Sequence, residues 1–105
     1  MRENEYQAYL IRKLRGLFPE CLIMKNDAGY IQGIPDLTIL FQDKWAVLEV
    51  KPNPEARRSP NQEYYIDRLG EMSFAAFINP ENELEVLSAL QSAFSAGEPT
   101  RVSKR

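Results

Sequence analysis

Apolar residues recur at Tyr6, Leu10, Leu14 and Leu17, the spacing of one helix face, and Pro19 ends the run. This predicts a helix over 3–17. Residues 21–25 form a short apolar strand candidate. The stretch 26–35 (Asn-Asp-Ala-Gly-Tyr-Ile-Gln-Gly-Ile-Pro) reads as loop, with Gly29 and Gly33 supplying backbone freedom. Two β-rich runs, 36–42 and 45–51, flank Asp43-Lys44 and predict a hairpin. Residues 52–58 form a loop holding Pro52 and Pro54. Ser59-Pro60-Asn61-Gln62 opens a helix to about Gly70, residues 74–79 form another strand, and Asn79-Pro80 opens a last helix to about Phe94. On that helix Leu84, Leu87, Leu90 and Phe94 are expected in the core or at a dimer contact. The order α-β-β-β-α-β-α predicts an α/β fold, a mixed central sheet flanked by helices. One domain is expected over 1–97, followed by a flexible basic tail over 98–105.

The pattern breaks at the end of the second β run. Trp45-Ala46-Val47-Leu48-Glu49-Val50-Lys51 is apolar on both faces until two charges appear two residues apart. A tight turn at Asp43-Lys44 would set Asp36 opposite Lys51 and Thr38 opposite Glu49. Alternation then places Asp36, Thr38, Glu49 and Lys51 on one face. Glu49 becomes the diagonal neighbour of Asp36, roughly 7–8 Å away between Cα atoms. Two carboxylates so placed can share a divalent cation, and the Val50 carbonyl offers a further oxygen. Lys51 would sit near an attacking water or a phosphate and offset negative charge. A solvated cross-strand Asp36–Lys51 pair with Glu49 beside it fits the spacing equally well.

Composition narrows the chemistry. The chain has 105 residues and no histidine, which excludes a histidine base, a Ser-His-Asp triad and imidazole metal ligands. Its single cysteine, Cys21, excludes an intrachain disulfide and a thiolate zinc site and reads as a small buried apolar residue. Any metal must therefore be held by oxygens, which points to magnesium, manganese or calcium. Thirteen basic and fifteen acidic residues give a net charge of −2, which argues against binding nucleic acid by bulk charge. The charge is uneven: residues 1–68 carry ten of each sign, while 69–97 carry Glu71, Glu81, Glu83 and Glu85 and nothing basic. No apolar run reaches the ~18 residues of a membrane span, and the first residues do not look like a signal peptide. A soluble, cytoplasmic protein is expected.

Gly33-Ile34-Pro35-Asp36, followed thirteen residues on by Glu49-Val50-Lys51, resembles the signature of PD-(D/E)xK nucleases. The likeness extends to both sides. Glu3-Asn4-Glu5-Tyr6-Gln7 with the Leu10/Leu14 stripe resembles the first helix of VRR-NUC domains, which contributes an acidic residue. Asn26 through Gly33 resembles the loop before their Gly-x-Pro-Asp. Ser59-Pro60-Asn61-Gln62 with Tyr65, Ile66 and Leu69 resembles their next helix, which presents a glutamine. The resemblance covers about residues 3–79 and implies a restriction-endonuclease-like sheet and magnesium- or manganese-dependent hydrolysis of DNA phosphodiesters. Small stand-alone members, many of them viral, are similar to Holliday-junction resolvases and act as dimers, so branched DNA and a second copy of the chain are the implied partners. A nicking endonuclease or exonuclease without junction preference, and a non-catalytic DNA-binding module of the same fold, are the alternatives.

The implied catalytic set is Glu3, Asp36, Glu49, Lys51 and Gln62, with Asp36, Glu49 and the Val50 carbonyl toward the metal. Glu3 shares its helix face with Gln7, Leu10 and Leu14, whereas Glu5 aligns with Tyr9 and Arg12, so periodicity favours Glu3 over Glu5. Either acid would also complement the helix dipole. Ser59-x-x-Gln62 is equally a capping box, yet Gln62 leads the stripe of Ile66 and Leu69 toward the sheet. Lys25, Arg57 and Arg58 are candidate phosphate contacts, and Tyr30 at the loop tip a candidate base-stacking residue. Solvated surface charge, for the first three, and loop anchoring, for Tyr30, are the competing roles. Arg12, Lys13 and Arg15 read as a solvated helix face, and Tyr64-Tyr65 as packing.

Overall fold

The computed structural model describes residues 1–96. Its elements run α1 (Glu3–Leu17), β1 (Leu22–Lys25), β2 (Leu37–Phe41), β3 (Lys44–Val50), α2 (Pro60–Gly70), β4 (Phe74–Ile78) and α3 (Glu83–Ser95), the predicted α-β-β-β-α-β-α order. The expected tail over 98–105 lies outside the described residues.

The sheet has strand order β1-β2-β3-β4. β1, β2 and β3 pair antiparallel, and α2 carries the chain across to β4, parallel to β3. Alternation divides the strand side chains between two faces. Leu37, Ile39, Ala46, Leu48, Val50 and Ile78 are buried against Tyr6, Leu10 and Leu14 of α1 and Val86, Leu87, Leu90 and Phe94 of α3. Phe18 closes this core in an aromatic cluster, 5.3 Å from Phe41 and 4.9 Å from Phe94 between ring centroids. Leu84 does not join it: it is 79% exposed, while Val86 takes a buried place. Cys21 is partly buried against the same core, where burial pushes its thiol pKa up.

The opposite face carries α2, which lies over β4 and β3 and buries none of its own residues fully. Ser59 and Gln62 form a reciprocal cap: Ser59 Oγ accepts from the Gln62 amide at 3.2 Å, and Gln62 Oε1 accepts from the Ser59 amide at 3.0 Å. Pro60 begins the helix, where its missing N–H costs nothing.

Three details depart from the expected pattern. The hairpin turns at Gln42-Asp43, with Gln42 in the left-handed region (φ 58), and Lys44 pairs with Phe41. Thr38 therefore faces Val47 rather than Glu49. Continued one step past Leu37↔Leu48, this register sets Asp36 against Glu49 rather than Lys51. Each residue moves by two positions relative to its partner, so the division between faces survives. The second departure is α3, which starts at Glu83 because residues 79–82 first form a turn. Asn79 Oδ1 accepts from the amides of Glu81 and Asn82, and Asn82 Oδ1 accepts from the Asn79 amide.

The third is Glu83 itself, which is buried rather than part of a solvated acidic stretch. Its carboxylate accepts from Tyr6 (2.9 Å), Tyr9 (3.1 Å) and Lys13 (2.7 Å), tying the start of α3 to α1. Lys13 is thus an internal partner, not a free surface cation.

Candidate active site

At one end of the sheet, on the face that carries α2, the ends of β2 and β3 meet the first turn of α2. Asp36 stands just before β2 and Glu49 near the end of β3; Lys51 follows β3 and Gln62 lies in the first turn of α2. Glu49 and Lys51 are only 3% and 7% exposed. Asp36 Oδ2 accepts from the Val50 amide at 2.8 Å. The N–H and C=O of one strand residue point toward the same neighbouring strand, so the Val50 carbonyl also faces the Asp36 side. The Val50 side chain points the other way, into the core.

Gln62 holds the centre together. Its Nε2 donates to Glu49 Oε2 at 2.9 Å, while its Oε1 accepts from Lys51 Nζ at 2.9 Å as well as from the Ser59 amide. The side chain that caps α2 is thus also the one that reaches Glu49 and Lys51. Lys51 Nζ also donates to the Arg57 carbonyl at 2.7 Å and lies 3.7 Å from Glu49 Oε2. The Lys51 amide donates to the Ile78 carbonyl, which fixes the residue between β3 and β4.

This concentration of charge raises the carboxylate pKa values. Burial, and then the Asp36 charge, push Glu49 up to about 7 against the opposing attraction of Lys51. Burial also raises Asp36, with the Val50 amide bond among the opposing influences. Glu3 is raised by partial burial and by Asp36, and drawn back by Lys51. Glu3 therefore feels the site. Glu5 is occupied elsewhere, accepting from the Arg2 amide at 3.0 Å and the Arg2 guanidinium at 3.4 Å.

Glu49 Oε1 is buried with no hydrogen-bond partner among the described residues. A buried, partnerless carboxylate oxygen beside a second carboxylate and a strand carbonyl is a donor set suited to a hard cation. Among the described residues no three Asp, Glu, Cys or His side chains converge as metal ligands. Asp36, Glu49 and the Val50 carbonyl are the groups that could hold such an ion.

The remaining candidates divide. Arg57 contributes its carbonyl to Lys51 and leaves its side chain exposed. Arg58 stacks on Phe77, 3.9 Å from the ring centroid, and Phe77 is the register partner of Glu49 on β4. Lys25 is not brought to the site. It pairs with Leu37, whose side chain enters the core on the opposite face from Asp36.

The loop between β1 and β2 is fastened beside the site. The Asn26 amide donates to the Asp36 carbonyl, and Asn26 Nδ2 donates to the Pro35 carbonyl and to Thr38 Oγ1, both at 2.8 Å. Asn26, read from sequence only as the start of a loop, is therefore a clasp that sequence reasoning missed. Gly33 has φ 89, and a Cβ there would lie 2.4 Å from Asn61 Cβ, so only glycine lets the loop rest on the start of α2. Tyr30 is 85% exposed and does not anchor the loop.

Fold and site together define a mixed α/β domain with a centre of two carboxylates, a lysine and a glutamine, of which Glu49 and Lys51 are buried. No family model, curated protein or solved structure matches the chain. No helix among the described residues is long and apolar enough to cross a membrane.

Proposed function

We propose that the protein is a metal-dependent DNA endonuclease of the PD-(D/E)xK type, close to VRR-NUC domains, acting on structured DNA. The observation that carries this reading is the buried Glu49 carboxylate, with one oxygen held by Gln62 and the other without a partner, next to Asp36. Asp36, Glu49 and the Val50 carbonyl are the residues that would hold magnesium or manganese. Bound there, such an ion supplies a lowered pKa for water and stabilisation of charge on the transferring phosphoryl group.

The chain's own residues do the rest. Lys51, restrained by the Arg57 carbonyl and Gln62, presents a fixed positive charge for the scissile phosphate. Gln62 holds Glu49 and Lys51 at their mutual distance. Glu3 adds negative charge at the rim. Arg58, steadied on Phe77, and Arg57 would meet neighbouring phosphates. A described chain carries one such site, so paired cuts across a junction would require a homodimer.

The test is incubation of purified protein with magnesium and a four-way junction, a flap and a plain duplex. Cutting of at least the branched substrates, lost in Glu49→Gln and Lys51→Ala, is expected. Failure to cut any of the three, or variants that cut like the parent, sinks the proposal. Symmetric paired cuts by a dimer would assign the resolvase role. Unpaired nicks by a monomer would assign a simple nicking enzyme.

A further inference from the structure

Beside the carboxylate pair, on the same sheet face, lies a groove of about 590 Å³ between the 26–35 loop and the end of α2. That volume is within the range of about 300–1,000 Å³ typical of small-ligand clefts. Its floor includes Thr38 and Val47, each two residues along its strand from Asp36 and Glu49. Tyr30 and Trp45 supply two aromatic rings, and the rest of the lining is mostly aliphatic.

The polar groups cluster at the loop end. Thr38 Oγ1 accepts from Asn26 and keeps its own proton free to donate. Asn26 Oδ1 accepts from no group among the described residues. Asp27 uses Oδ1 on the Gly29 amide at 2.7 Å and leaves Oδ2 unengaged. Among the described residues no lysine or arginine lines the groove.

This charge pattern excludes a phosphate and suits the uncharged part of a nucleotide. Aromatic rings offer stacking, while one hydroxyl donor and two oxygen acceptors match the edge of a base that carries amino and carbonyl groups. A stacked, paired base cannot reach a groove under a loop; an unpaired one can turn out into it. We infer that the groove receives an unpaired nucleobase adjacent to the phosphate held at Lys51, so that the enzyme selects DNA with locally unpaired nucleotides. The inference rests on the nuclease reading for the position of the phosphate.

Trp45 is the only tryptophan of the chain and also borders a second cavity, so its emission reports this groove when the change is lost in Tyr30→Ala, which touches the groove alone. The experiment compares a short blunt duplex with the same duplex interrupted by a single-stranded deoxycytidine gap. Each is titrated into the protein in calcium while Trp45 emission is followed. The gapped DNA is expected to quench Trp45 and bind more tightly, and Tyr30→Ala to weaken gapped-DNA binding by roughly tenfold, with much less effect on the duplex. Equal binding of both DNAs with unchanged emission overturns the inference. So does emission that changes with protein concentration alone while Tyr30→Ala converts a dimer to a monomer, because the groove then holds a second copy. Cleavage in magnesium is scored separately. Cutting without any Trp45 response removes the groove and leaves the nuclease. Quenching by gapped DNA without cutting in magnesium or manganese removes the nuclease and retains the base site.

Discussion

Glu49 concentrates the energetics of the site in one side chain. Its native pKa is raised from an ordinary 4.5 to about 7 by burial and by Asp36, so between those values the folded protein binds a proton that the unfolded chain has released. Stability must then fall as pH rises through that window and level off above it. Metal-free protein in a chelator is therefore expected to melt at a higher temperature at about pH 5 than at about pH 8. Glu49→Gln, which carries no titrating proton, should flatten this dependence and stabilise the protein at the higher pH. Added magnesium should raise the melting temperature more at about pH 8, where it competes with fewer protons. Thermal unfolding of both proteins across pH checks all three outcomes, and a parent whose stability rises through the window would contradict the assigned burial of Glu49.

Between elements, what could be read from sequence depended on whether the signal was local. Helix faces, strand alternation and the Ser59-Pro60 cap are written in neighbouring residues, so the element order and the shared face of Asp36, Glu49 and Lys51 were legible. The hairpin register was not, because it depends on Gln42 accepting a positive φ, for which glutamine gives no cue. Lys25 was misplaced because a short strand does not reveal which partner residue it faces. Glu83 was opaque for a third reason: an acid at a helix start looks solvated until its partners on α1, some seventy residues earlier, are known. Burial would raise its pKa, but the bonds from Lys13, Tyr6 and Tyr9 more than offset this and lower it. Its contribution is thus present above the ordinary carboxylate range and lost as pH falls below it. Glu83→Ala strands the two tyrosine hydroxyls and is expected to cost roughly 2 kcal/mol. Urea unfolding at neutral pH should show that loss, and repeating it in acid should shrink the difference from the parent.

Across the whole molecule, the balance of charge is set by where the acids sit. Of fifteen acidic residues, Asp36, Glu49 and Glu3 surround the candidate metal position, and Glu83 is consumed internally by Lys13. Among the described residues Arg57 and Arg58 are the candidate contacts to flanking phosphates, because Lys25 lies on the other face and Lys51, enclosed beside Glu49, would meet the scissile phosphate alone. DNA approaching a metal-free site meets up to three carboxylates and two arginines, so repulsion offsets much of the attraction. On the nuclease reading, a divalent ion would reverse that balance where the phosphate would lie. Binding of a gapped or branched DNA should therefore be weak in chelator and strengthen markedly in calcium. On that reading the described residues would neutralise few phosphates, so the plot of log affinity against log salt in calcium should be shallow, with a slope of about −2 for two arginine contacts. Arg57→Ala and Arg58→Ala should each reduce that slope by about one. Fluorescence anisotropy over a salt series measures the slopes. A steep dependence that survives both substitutions would place the DNA on another surface, and binding that ignores calcium would separate DNA recognition from the carboxylate centre.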